Sequence, residues 1–206
     1  MQIYKGGILK KLLFAVVVLA LLIGCSSKRQ VSRLDPESVT DLSGSWNETD
    51  ARLVAQEMVA DCLGKIWLTD FLAAEGAKPV MTMGTIRNMS SEHIDTEVFT
   101  DDFERELINS GKVRFVASRG QRSEIRDERL DQQQNASEET MKKFGKEVGA
   151  DFIILGSVKT ITDQIESKST VFYQTDFELI NLETNEKVWI GSKEIKKGIS
   201  QGKTKW

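Results

Sequence analysis

Phe152-Ile153-Ile154-Leu155-Gly156-Ser157-Val158-Lys159-Thr160-Ile161-Thr162 is the stretch from which the fold is read, because its aromatic and β-branched residues recur with a period of two. Two more stretches of the same kind follow, Thr170 to Leu182 and Lys187 to Lys196. The segments between them, Ile165-Glu166-Ser167-Lys168 and Glu183-Thr184-Asn185-Glu186, have the length of hairpin connections. The C-terminal part of the chain is therefore expected to be a three-strand antiparallel meander.

Upstream of Phe152 the period lengthens to that of helices, interrupted by two short apolar runs. Val80 to Ile86, after Lys78-Pro79, is nearly continuous in apolar or β-branched residues and reads as a strand interior to a sheet. Phe99, Phe103 and Leu107 then stack at intervals of four on a helix capped by Asp95 or Thr96 and stopped at Ser110-Gly111. Val113 to Ala117 is a second strand reached through that crossover helix, so it is expected to run parallel to the first in a right-handed βαβ unit. Ahead of this unit, a helix capped by Thr49 or Asp50 carries Val54, Met58, Val59, Cys62, Leu63 and Ile66, and a shorter one with Trp67, Leu68, Phe71 and Leu72 ends at Gly76. Behind it come a strongly polar segment, 119 to 134, and a helix capped by Ser137 that carries Met141, Phe144 and Val148 and ends at Gly149. The fold class is α+β: a mixed sheet made of a βαβ unit and a three-strand meander, with helices packed on it.

Lys5, Lys10 and Lys11 precede twelve apolar residues from Leu12 to Ile23, well short of the roughly 20 that cross a bilayer, so residues 1–24 read as a signal peptide. Leu22-Ile23-Gly24-Cys25 resembles the bacterial lipobox, which implies that Cys25 carries lipid and becomes the mature N-terminus. Residues 25–40 then form a lipid anchor and flexible tether, 41–197 a globular domain opened by a turn-rich lead-in, and 198–206 a C-terminal tail. Loss of the three signal lysines takes the net charge from −3 to −6, and no run of like charge suits a nucleic-acid partner. Cys62 is left without an intramolecular mate and reads as a small core residue rather than half of a disulfide.

Reactive chemistry finds little support. The chain has 1 histidine, and Ser90, Ser91, His93 and Asp95 are too close in sequence to converge as a nucleophile, base and orienting group. One cysteine and one histidine beyond the lipobox do not make a zinc site, and Gly84 and Gly156 are single glycines in strands rather than a phosphate loop. Asp101, Asp102, Glu104 and Glu106 read as the solvated side of a helix whose apolar side is Phe99, Phe103 and Leu107. The expectation is a binding protein with no cofactor, no metal and no small-molecule substrate.

Four blocks carry a family likeness. Gly84-Thr85-Ile86-Arg87-Asn88, Leu107-Ile108-Asn109-Ser110-Gly111-Lys112-Val113-Arg114-Phe115, Gly149-Ala150-Asp151-Phe152-Ile153-Ile154-Leu155 and Thr184-Asn185-Glu186-Lys187-Val188-Trp189-Ile190-Gly191 occur in this order after the lipobox. Together they resemble the LpoB-type lipoprotein activators of bifunctional penicillin-binding proteins. The resemblance implies a fold similar to the N-terminal domain of TolB, attachment to the periplasmic side of the outer membrane, and activation of a peptidoglycan synthase by direct contact. Ser26 after the lipidated cysteine resembles an outer-membrane sorting signal. The best-known members carry a long Pro-rich tether, whereas Ser26 to Thr40 reaches about 50 Å when fully extended. The alternative reading is a structural or assembly lipoprotein of the outer membrane with a TolB-like domain.

The candidate partner-binding residues lie in two places. Wound as a helix, residues 119 to 134 place Arg119, Arg122, Arg126 and Arg129 in one arc of about 80°, and Glu124, Asp127, Glu128 and Asp131 in another of about 100°. Like charges therefore stand three or four apart, which costs an isolated helix a few tenths of a kcal/mol per pair. Either Ile125 and Leu130, which flank the basic arc, dock it on the domain, or a charged arc with Arg122, Arg126 and Arg129 meets complementary charge on a synthase. The loop from Arg87 to His93, with Asn88, is the second candidate. The anchor is tested first: Cys25→Ser is expected to give a folded protein that no longer fractionates with the outer membrane. A variant still membrane-bound in high salt would contradict the lipid attachment.

Overall fold

The computed structural model describes residues 30–36, 38–140 and 147–200. Cys25, and Met141 and Phe144 of the helix expected after Ser137, lie outside these residues. Four helices and five strands are described: α1 (Glu48–Leu63), α2 (Ile66–Glu75), β1 (Val80–Asn88), α3 (Thr96–Asn109), β2 (Arg114–Phe115), α4 (Arg119–Asn135), β3 (Phe152–Ile165), β4 (Lys168–Asn181) and β5 (Lys187–Ser200). The strands form one sheet in the order β2-β1-β3-β4-β5, with β1 parallel to both β2 and β3 and the last three antiparallel. This is the expected mixed sheet, with the parallel unit at one side and the meander at the other. The meander strands are longer than the alternation suggested, and the first hairpin turns through Glu166 at φ 48 and Ser167. The second of the two parallel strands is shorter, two residues instead of five, because β2 is an edge that meets β1 only at Val80 and Met81.

Helices α1 to α3 cover one face of the sheet, and β4 shows the two sides most plainly. Val171, Tyr173, Thr175, Phe177 and Leu179 point inward and are buried, while the even-numbered residues between them are only half-buried. The inward face receives Phe99, Phe103 and Leu107 of α3, each fully buried, at about 2 kcal/mol per side chain. Phe103 stacks on Phe177 with ring centroids 4.7 Å apart, and Trp46 of the lead-in lies 5.6 Å from Tyr173. Cys62 is fully buried in this core, and burial, followed by the Asp61 charge, pushes its thiol up to about 12, as suits an inert packing residue.

Two details of the helices differ from the sequence reading. Neither Thr49 nor Asp50 caps α1. Asn47 does, through a capping box in which its Oδ1 accepts from the Asp50 N–H (3.2 Å) and the Asp50 carboxylate accepts from the Asn47 N–H (3.0 Å). Ile66 is exposed rather than continuing the apolar stripe of α1, since Gly64 ends that helix and the chain re-enters a helix after Lys65 with a new phase. Trp67 and Leu68 are buried in its place, and α2 stops at Gly76 in the left-handed conformation, φ 62.

The last strand ends in an ionic clamp. Lys197, on the inward face of β5, is buried and donates from Nζ to Asp50 Oδ2 (2.6 Å), Asp41 Oδ1 (2.6 Å) and the Ser45 carbonyl (3.0 Å). Asn47 Nδ2 adds bonds to Asp41 Oδ1 and the Thr40 carbonyl, so residues 40–50 are gathered around one ammonium group. Burial pulls the Lys197 ammonium down, but its bonds to Asp41 and Asp50 outweigh that and leave its pKa above the ordinary value. The Lys197 hydrogen bond holds the Asp41 carboxyl below the usual range. In linkage terms, the Asp41 contribution is present above its unfolded pKa and is lost as pH falls below about 4, while that of Lys197 is lost only above about 10.5.

Candidate functional site

The polar segment forms α4 as expected, but not in the way either apolar flank suggested. Its N-terminus is closed by a second capping box: Ser118 N–H donates to Gln121 Oε1 (2.8 Å), and Gln121 N–H reaches back to Ser118 Oγ. Further along, Gln132 and Asn135 donate to Glu128 and Asp131 one turn earlier. None of its residues is buried: Ile125 keeps 41% and Leu130 50% of its surface exposed, so these side chains do not dock the basic arc on the domain. Two isolated apolar residues in a helix of 17 are too few to bury a face.

The arginine arc is held by an acid from the returning chain. Arg126 makes a two-pronged pair with Glu147, Nε to Oε1 at 2.9 Å and Nη2 to Oε2 at 2.7 Å, and Arg129 Nη1 lies 3.6 Å from the same carboxylate. The Arg126 hydrogen bond is the main reason the Glu147 carboxyl sits below its usual range, with the charges of Arg129 and Arg122 adding to it. One acid from outside the helix thus offsets the repulsion among its like-charged neighbours. The side of α4 turned toward α3 lies between the two arcs. There Gln121, Glu124, Ile125, Glu128 and Gln132 border an open groove of about 700 Å³ with Glu104 of α3. Burial, then the neighbouring Asp101, raises the Glu104 pKa.

The second candidate, Arg87 to His93, takes in the last two residues of β1 and the loop that follows, and its residues divide by role. Asn88 is consumed in shaping it. Asn88 Oδ1 accepts from Ser90 N–H (2.9 Å) and Ser90 Oγ (2.6 Å), and its Nδ2 donates to the Glu92 and Ile94 carbonyls. Glu92 ties the loop to the core: one carboxylate oxygen accepts from the buried Tyr173 hydroxyl (2.6 Å) and the other from the Trp46 N–H (3.1 Å). Burial and the Glu92 carboxylate push the Tyr173 phenol up, so it remains a donor. Ile94 is buried beside Val158, Val171 and Tyr173. His93 and Met89 are left exposed at the surface, and Arg87 projects onto the sheet face that α1 to α3 leave uncovered.

The two candidates do not share a site. Arg87 and Arg129 of α4 line different grooves, and among the described residues no group of three or more histidines, cysteines or carboxylates is placed to hold a metal. Sequence reading missed the organiser of the open face, Asp176, whose carboxylate accepts from Lys159 Nζ, Gln174 Nε2 and Ser192 Oγ, each at 2.8 Å. Burial raises its pKa, but these three donors outweigh that and leave it lowered. The signal was available in the outward positions of the meander, where Lys159 and Asp176 fall on the same side of neighbouring strands.

The family model described as "Peptidoglycan-synthase activator LpoB" matches residues 50–195, which run from α1 into β5. Among solved structures, the LpoB C-terminal domain from Escherichia coli is 20% identical, with a TM-score of 0.38 over 74% of this chain and 99% of that one. The NMR structure of E. coli LpoB is 15% identical, with a TM-score of 0.39 over 87% of this chain and 85% of that one. Lipoprotein GNA1162 from Neisseria meningitidis is 12% identical, with a TM-score of 0.39 over 61% and 88%. No curated protein sequence matches.

The role assigned to Glu147 is open to test. Glu147→Gln is expected to leave global unfolding unchanged but to speed amide exchange along α4 at low ionic strength, with the difference vanishing in high salt. Unchanged exchange at low salt would mean that the caps alone hold the helix.

Proposed function

Since the chain belongs to the LpoB family of peptidoglycan-synthase activators, we propose that it is a lipid-anchored, non-enzymatic activator that binds and stimulates a bifunctional penicillin-binding protein. The observation that carries this reading is the extent of the family match, which runs from Asp50 in α1 to Ile195 in β5 and takes in every helix and strand between them. In this reading residues 1–24 are a signal peptide, lipid on Cys25 holds the chain at the periplasmic side of the outer membrane, and residues 25–40 tether the domain. No helix of the described residues is long and apolar enough to cross a membrane. Activation follows from contact: binding energy favours the synthase conformation that contacts the domain, and the shift is limited by the differential affinity for its two states.

The reading is tested by adding the full-length chain, purified in detergent, to each bifunctional penicillin-binding protein of the same organism and following glycan polymerisation. Acceleration of at least one synthase is expected. No binding to and no effect on any of them would refute the proposal and favour a structural role in the envelope.

A further inference from the structure

We propose that the groove on the open face of the sheet is where the synthase docks, and that it takes an acidic group flanked by apolar side chains with Arg87 as its anchor; this rests on the function proposed above. The groove has a volume of about 430 Å³ and is bordered by Arg87, Met89, Leu155, Lys159, Asp176 and Ile190, among others. Met89 and Ile190 are each 62% exposed, so apolar surface lies open on both sides of it.

Charge accounting selects the occupant. Lys159 is paired with Asp176 at 2.8 Å, and Glu178, also on the groove, is paired with Lys187 at 2.8 Å. The Arg87 side chain has no hydrogen-bond or ion-pair partner among the described residues. One cation is left unbalanced beside apolar rims, and its complement is a carboxylate that can engage the guanidinium in two-pronged fashion. A second copy of this chain would bring the same unbalanced cation to the contact, so a partner of different sequence fits better.

The local backbone is built to present Arg87 there. Met81 and Met83 of β1 point at the helices, and unbroken alternation would send Arg87 the same way. The pairing with β3 shifts between Met83 and Ile86, so that Gly84 and Thr85 together oppose Leu155. This bulge turns Ile86 into the core and Arg87 out onto the open face, paired with Ser157. Glycine suits the bulge, because a Cβ on Gly84 would press on the end of the Leu155 side chain and stand 3.0 Å from the Ile154 carbonyl. Re-aiming a side chain is one of the uses to which bulges are put beside active sites and at sheet edges.

The test compares the full-length chain with Arg87→Glu, Ile190→Asp and Arg87→Lys, all at exposed positions, after circular dichroism confirms the fold. Affinity for the organism's bifunctional penicillin-binding proteins is measured across a range of salt. Arg87→Glu and Ile190→Asp are each expected to weaken binding by about tenfold or more, Arg87→Glu is expected to flatten the salt dependence, and Arg87→Lys is expected to recover part of the loss. Wild type that binds a synthase while both variants bind it equally well would overturn this surface and leave the proposed function intact. Wild type that binds none of the synthases would overturn the proposed function, and the docking site with it. If Arg87→Glu instead abolished self-association without changing synthase binding, the groove would belong to a second copy and the proposal would be wrong.

Discussion

A lysine buried on the inward face of the last strand cannot remain there without anions, and residues 41 to 50 are where the anions are. Lys197 meets Asp50 and Asp41 at 2.6 Å each, and its own side chain is only 8% exposed. Such a pair is not a large source of net stability, since desolvation of both charges offsets most of their attraction. What it does is exclude alternatives: any arrangement that moves the lead-in away leaves a charge buried and unmatched. The same Asp50 carboxylate closes the capping box of α1, so the place where the chain enters the domain, the start of the first helix and the end of the last strand are fixed by one group of contacts. Trp46, brought in by the lead-in, then touches Phe99 and Tyr173 and supplies the N–H that fixes Glu92 in the loop after Arg87. The lead-in that carries Trp46 and the loop that borders the proposed docking groove are thereby joined by one group of contacts.

Much of this frame was legible in the sequence, and the reasons are periodicity and punctuation. Phe99, Phe103 and Leu107 at intervals of four, closed by Ser110 and Gly111, allow one helix; Phe152 to Thr162 and Thr170 to Leu182, alternating in step, allow one hairpin. The likeness to the LpoB family was carried by four short blocks, and the family match confirms it. The likeness to the N-terminal domain of TolB rests on that family resemblance alone.

What the sequence did not disclose depends on contacts between distant residues. Lys197 falls at an inward position of β5, but the type of residue argues for water, and only Asp41 and Asp50, far away in the chain, reconcile the two. Val80 to Ile86 is apolar at nearly every position, which hides the change of side at Gly84 and Thr85 and with it the direction in which Arg87 points. Asn88 reads as a possible contact residue until its hydrogen bonds to Ser90, Glu92 and Ile94 are seen. Arg126 and Arg129 of α4 looked free to meet a partner for the same reason: Glu147, which engages both, stands beyond the helix in a stretch read only for its apolar residues Met141, Phe144 and Val148.

The ionic clamp is the claim on which the rest depends, and hydrogen–deuterium exchange on wild type and Lys197→Met measures it directly. The variant leaves Asp50 buried without its cation, which costs about 3 kcal/mol, so amides of residues 44 to 51 and of the loop at 89 to 94 are expected to exchange at least about tenfold faster, with the centre of β3 and β4 much less affected. Unchanged protection of both segments in a folded Lys197→Met protein would show that the apolar contacts of Trp46 and α1 hold the lead-in without the clamp.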